Sequence, residues 1–182
     1  MITRKKFEQE VGGKKITLEV SSIAEQANAA VMCKCGDTVV LGTVVMSGED
    51  TTGDYMPLKV DYEERFYAAG KILGSRYVRR EGRPSEEAVL AGRIIDRTIR
   101  PLFDARLRRD VQVILTVLSF DGENEPEQVA LLAASAALSI SDIPWNGPAA
   151  GVRVANIGGK FVVNPSIDEM NSPDLKMEAF VA

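Results

Sequence analysis

The sequence predicts an α+β domain, and three observations carry that prediction. The first sixty residues are a succession of alternating, β-branched runs cut by glycine turns. Two proline-headed segments, 84–100 and 126–139, carry helical character. Between them lies one long apolar run, VQVILTVLSF at 111–120, that reads as a strand.

Taken in order, residues 15–20 (KITLEV) alternate, 29–33 (AAVMC) follow, and 38–46 (TVVLGTVVM) form a buried-looking strand. Gly12-Gly13 and Gly36-Asp37 supply the turns between them, which makes a β-meander. A polar loop at 47–54 leads to another short strand at 56–62 (MPLKVDY). Pro84 is a favoured first helical residue, and Glu86 and Glu87 complement the positive end of the helix dipole. Pro101 stops this helix. Within it Leu90, Ile94 and Thr98 form an apolar stripe with Ala91, Ile95 and Ile99 beside it, while Arg93, Arg97 and Arg100 recur on another face. The second helix is rich in Ala133, Ala134, Ala136 and Ala137, side chains small enough for its backbone to lie close on strands. Residues 151–157 and 160–163 read as a hairpin about Gly158-Gly159. The last residues, EAFVA at 178–182, have strand character and no polar tail, so the expectation is a single domain over 1–182, truncated near its C-terminus inside a strand.

Composition bounds the function. A chain of 182 residues with 45% hydrophobic content buries about 70% of its unfolded surface as one domain. No run of about 18 apolar residues occurs, and the opening MITRKKFEQEV lacks the apolar core of a signal peptide, so the expected location is the cytoplasm. Cys33 and Cys35, with no histidine in the chain, cannot complete a four-ligand zinc site and are expected to point to one buried face of a strand. The absence of histidine also excludes Ser-His and Cys-His nucleophilic schemes within the chain.

Charge is the most uneven feature. Ten of the thirteen arginines fall between Arg76 and Arg109, a stretch with no lysine and five acids, so this block carries about +5 in a chain whose net charge is −4. Guanidinium forks without lysine suit bidentate contact with phosphate or carboxylate oxygens, which points to a polyanion handled at one place. For Arg93, Arg97 and Arg100 the alternative is a solvated helix face with Arg93 or Arg100 paired to Asp96. For Arg153, between Val152 and Val154, it is an ordinary exposed strand arginine. Asp121, Glu123 and Glu125 cluster before the second helix; clustered carboxylates can bind Mg²⁺, but a structural role is favoured and no metal site is expected.

Longer motifs add a resemblance. Asp61-Tyr62-Glu63-Glu64, Tyr67-Ala68-Ala69-Gly70-Lys71-Ile72, Arg80-Glu81-Gly82-Arg83-Pro84-Ser85-Glu86 and Ile95-Asp96-Arg97-Thr98-Ile99-Arg100-Pro101-Leu102-Phe103 closely resemble the first RNase PH-like domain of the polynucleotide phosphorylase family. Asp121-Gly122-Glu123-Asn124 and Ser141-Asp142-Ile143-Pro144-Trp145-Asn146-Gly147-Pro148 match as well. The resemblance implies a mixed β-sheet with packed helices, and a homotrimer whose channel admits single-stranded RNA. It implies degradation of that RNA 3′→5′ by phosphorolysis, with inorganic phosphate as co-substrate and nucleoside diphosphates released. It also implies Mg²⁺, with ligands beyond this chain, and further partners in RNA degradation.

Carried over by position, Arg76, Tyr77, Arg79, Arg80 and Arg83 match the RNA-binding channel loop, and Arg93, Arg97, Arg100 and Arg153 match positions that bind phosphate or RNA near the active site. The loop departs from the family: Arg76-Tyr77-Val78 stands where two adjacent phenylalanines are usual, which leaves one aromatic platform for a base. Glu123-Asn124-Glu125 replaces a phosphate loop, and Met170 and Lys176 stand where metal-binding acids would align. The chain is therefore expected to supply channel and trimer core without catalysing the reaction itself. The alternatives are a non-catalytic RNA-binding and assembly module, or a single-domain RNase PH or exosome ring subunit.

Overall fold

The computed structural model describes residues 4–72 and 82–182. The meander is present. Strands β1 (Arg4–Val11) and β2 (Lys14–Ser21) form a hairpin over Gly12 and Gly13, both at positive φ, where only glycine is free of strain. β3 (Ala29–Cys35) and β4 (Thr38–Asp50) continue it antiparallel. β5 (Leu58–Glu63) is not the next neighbour of β4: β6 (Arg109–Ser119) inserts between them, antiparallel to β4 and parallel to β5. The six-stranded sheet therefore has the order β1-β2-β3-β4-β6-β5 and is mixed, as expected. A parallel neighbour needs a crossover, and helix α1 (Glu86–Ile99) lies on that connection.

One face of this sheet carries the core. Cys33 and Cys35 point to it beside Val31, opposite Val40, Thr38 and Gly42. Both cysteines are buried, and burial pushes the Cys33 thiol up to about 12, so it is an inert packing group. Helix α2 (Pro126–Ile140) covers this face, with Ala130, Leu131, Ala133, Ala134 and Ala137 completely buried. The alanines permit a close approach: a Cβ on Gly42 would lie 3.1 Å from the Ala133 backbone carbon.

A second sheet, β8-β7-β9, meets α2 near Leu131. It comprises β7 (Val152–Ile157), β8 (Lys160–Val163) and β9 (Leu175–Val181), with the short helix α3 (Ile167–Met170) between the last two. The hairpin turn at Gly158 and Gly159 is as expected. At Gly151, just before β7, a Cβ would meet the Leu131 side chain of α2 at 2.7 Å and the Phe180 ring of β9 at 2.8 Å, so the chain passes close to both there.

Two details of α1 differ from expectation. The helix begins after Pro84, because Ser85 is the N-cap and its Oγ accepts from the Ala88 N–H. The buried stripe is Ala88, Ala91, Gly92, Ile95 and Ile99, while Leu90 is 55% exposed and Val89 is exposed beside it. Gly92 faces β5, where even an added Cβ would stand in ordinary contact, 3.6 Å from the Val60 carbonyl oxygen. The helix approaches the edge strand β5 through its smallest residues, and that rotates Leu90 outward.

Candidate nucleic-acid interface

Helix α1 sorts the arginine block into two kinds. Arg93 and Arg97 stand exposed on its outer face, one turn or about 6 Å apart along the axis. Arg83, also exposed, precedes the N-cap and lines a cleft of about 590 Å³ with Lys71, Phe66 and Phe120. Among the described residues, these three are the arginines of the block that meet no carboxylate or carbonyl. Arg76, Tyr77, Arg79 and Arg80 lie outside the described residues.

The others are engaged. Arg106 pairs with Asp104 at 2.8 Å, Arg109 lies 3.3 Å from Asp50, and Arg108 donates to the Ala105 and Leu107 carbonyls. Arg100 is held most fully. Its Nε and Nη2 donate to the two oxygens of Asp96 at 2.9 and 2.6 Å, and Nη1 and Nη2 also donate to the carbonyls of Met56 and Leu58 at 3.3 and 3.1 Å. The Val111 N–H takes the Pro57 carbonyl, so by alternation the flanking carbonyls of Met56 and Leu58 face away from β6. Arg100 thus covers carbonyl acceptors at the edge of the sheet, where an exposed strand is a liability; the Met56 carbonyl also accepts from the Leu58 N–H at 3.1 Å. The Arg100–Asp96 pairing is the structural alternative named from the sequence.

Arg153 stands apart from α1. Its side chain is only 15% exposed and meets three carboxylates: Nε lies 2.8 Å from Glu125, Nη2 donates to Glu127 at 3.0 Å, and Nη1 lies 2.8 Å from Glu178. The Nε contact is off the N–H direction, so it is an ion pair without a hydrogen bond. Sequence reasoning placed Arg153 with the α1 arginines; its partners come from the start of α2 and from β9. The signal that could have found them is the Glu-Pro-Glu step at the head of an otherwise apolar helix.

The acidic cluster divides. Asp121 is a turn-former: its carboxylate accepts from the N–H groups of Asp37, Glu123 and Asn124, from Asn124 Nδ2 and from Thr38 Oγ1, all at 2.7–3.0 Å. Partial burial pushes its pKa up, but the bonds from Asn124, Glu123 and Thr38 outweigh burial and hold it below the usual carboxylate range. Glu125 joins Arg153. Among the described residues no group of three or more Cys, Asp or Glu side chains is arranged to hold a metal ion, and no helix is long and apolar enough to cross a membrane.

The outer face of α1 can therefore grip an anion at low cost, since Arg93 and Arg97 need break no existing ion pair. Comparison with known proteins bears on what that anion is. Residues 12–144 match the model of the 3′ exoribonuclease family, domain 1. The polyribonucleotide nucleotidyltransferase of Exiguobacterium sibiricum is 48% identical over 176 residues, covering 97% of this chain and 24% of that protein. That of Brucella anthropi is 51% identical over 183 residues, covering 100% of this chain and 25% of that protein. The chain spans about a quarter of the length of the curated relatives it matches. Among solved structures, rice (Oryza sativa) Rrp46 superposes with a TM-score of 0.68 at 16% identity, covering 98% of this chain and 74% of that one. The Archaeoglobus fulgidus exosome with RNA bound to the active site superposes with a TM-score of 0.62 at 19% identity, covering 99% and 77%. At those identities the likeness is one of fold.

Proposed function

The chain belongs to the 3′ exoribonuclease family of RNase PH domains, and from that premise we propose that it is part of a polyribonucleotide nucleotidyltransferase that degrades single-stranded RNA 3′→5′ by phosphorolysis. In that reaction inorganic phosphate attacks the 3′-terminal phosphodiester and a nucleoside diphosphate leaves. Two anions must be held together in line, so positive charge has to be free to meet them. The observation that carries the reading is that Arg93 and Arg97, on the outer face of α1, and Arg83, just before its N-cap, are unengaged, while the rest of the described block is paired within the chain. In this proposal those three meet RNA phosphates directly, together with Arg76, Arg79 and Arg80, with Tyr77 as the stacking platform. Arg100 and Arg153 act from inside the fold.

The same proposal gives this chain the RNA channel and the core of a homotrimer in the cytoplasm, and leaves the chemistry elsewhere. Its support is the start of α2, where a phosphate loop would sit. Glu125 and Glu127 occupy it, and carboxylates there repel a phosphate that the helix N-terminus would otherwise attract. Met170, at the end of α3, and Lys176, in β9, are not metal ligands. Any Mg²⁺ that serves the reaction is therefore held by residues outside those described. The test is direct: the purified chain should bind single-stranded RNA yet release no nucleoside diphosphate from it in inorganic phosphate, with or without Mg²⁺. Phosphate-dependent release by the chain alone would place the chemistry here and overturn the assignment.

A further inference from the structure

Arg153, Glu125, Glu127 and Glu178 form a partly buried cluster, with Glu178 its most exposed member: three carboxylates against one guanidinium, all within 3.0 Å of it. They come from different elements. Arg153 is on β7, Glu178 on β9, Glu125 is the N-cap of α2 and Glu127 lies in its first turn. The cluster is thus the polar tie between the three-stranded sheet and the helix that the six-stranded sheet packs on.

One guanidinium can neutralise one carboxylate. The positive end of α2 offsets part of the remaining charge, but Glu125, Glu127 and Glu178 still repel one another, and Glu64 faces Glu127 from the end of β5. Lys14 lines a pocket with Glu125 and Gln128 but forms no ion pair with the cluster. Gln128 Nε2 donates to Glu125 at 3.3 Å and carries no charge. The buried Tyr62 hydroxyl is kept protonated, by burial first and then by Glu64, Glu127 and Glu125.

We propose that this cluster is a proton-controlled clamp: uptake of one proton by the Glu125–Glu127 pair removes the repulsion and tightens the docking of the β8-β7-β9 sheet on α2. Burial raises both carboxyls above the ordinary glutamate value; Arg153 opposes the rise, and the neighbouring carboxylates add to it. A carboxyl whose folded value is raised destabilises the fold when charged, so this contribution is unfavourable above the folded pKa. It is relieved as pH falls through that value towards the ordinary 4.5. The chain contains no histidine, so between about pH 5 and 7 no unperturbed side chain titrates. The carboxyls held well below their usual range, Glu8, Asp104 and Asp121, act only under more acid conditions.

Thermal unfolding of the chain from pH 7.5 to 5.0 tests the clamp. The melting temperature should climb as pH falls, by about 3–5 °C for each unit by which a carboxyl is displaced. Glu127→Gln and Glu125→Gln, which mimic the protonated state, should melt higher than the parent at pH 7.5 and lose much of the climb. Carboxyl-carbon NMR of glutamate-labelled chain supplies a second readout that needs no variant: at least one glutamate should titrate above the ordinary range, and Glu127→Gln should alter that titration. A flat or falling melting profile between pH 7.5 and 5.0, glutamine variants that keep the full climb, or glutamates that all titrate at or below the ordinary value would each overturn the proposal.

Discussion

The two helices meet arginine in opposite ways. On the outer face of α1, Arg93 and Arg97 stand in water with no partner, flanked by the exposed Val89 and Leu90. At the start of α2, Arg153 is enclosed by three carboxylates that outnumber it. The difference teaches that a guanidinium's availability is set by the residues around it. Arg153 is one of the chain's few arginines outside the block, yet it is the most deeply engaged, whereas two central members of the block are unengaged.

The contrast breaks first on stability. Arg153→Met leaves three half-buried carboxylates uncompensated and should cost about 3 kcal/mol, the lower end for breaking a buried ion pair, because the cluster keeps some contact with water. The melting temperature should fall by about 6–12 °C; a fall no larger than that of Arg93→Ala would erase the distinction between the two regions.

Asp121, four residues before Glu125, sharpens it. Asp121→Ala removes the acceptor of five hydrogen bonds and should cost about 2 kcal/mol. Its pH dependence has the opposite sign to the clamp. With a folded pKa below the ordinary 3.8, the stabilisation is present above that value and is lost as pH falls through the folded one. Melting curves between pH 5 and 2 should therefore descend, and Asp121→Asn should flatten part of the descent.

Arg100 tests the intermediate case. Its side chain is 41% exposed, so the ion pair with Asp96 is worth a few tenths of a kcal/mol, and its bonds to the edge carbonyls supply most of the effect. Arg100→Ala should cost about 1–2 kcal/mol. Arg100→Lys should recover only part of this, because an ammonium cannot span Asp96 and both carbonyls. Full recovery by lysine would reduce Arg100 to a simple surface charge.

Much of this architecture was legible in local pattern. Alternation found β2, apolar β-branched runs found β3 and β4, the glycine pairs found both hairpin turns, and the alanines of α2 announced a helix close on a sheet, which the Gly42–Ala133 approach bears out. What local pattern could not reach is long-range order. Nothing in residues 56–62 says that β6, some fifty residues later, will separate β5 from β4, or that β5 will pair parallel. The same limit governs the arginines. The partners of Arg100 include carbonyls 42 and 44 residues away, and those of Arg153 lie 25 to 28 residues distant in sequence. Helical periodicity groups Leu90 with the apolar stripe because it ranks residues by hydrophobicity, whereas the contact with β5 takes the small side chains around Gly92.

The most direct test of the division between available and engaged arginines is the salt dependence of single-stranded RNA binding. Each phosphate contact by a cation contributes about 0.7 to the slope of log affinity against log salt on a single strand. Arg93→Ala combined with Arg97→Ala should shallow the slope by about 1.4 while stability changes by less than about 0.5 kcal/mol per substitution, as for surface positions free of special features. Arg153→Lys, measured where it remains folded, should leave the slope as it was. An unchanged slope in the Arg93 and Arg97 double variant, at intact melting temperature, would contradict the assignment of RNA to the outer face of α1.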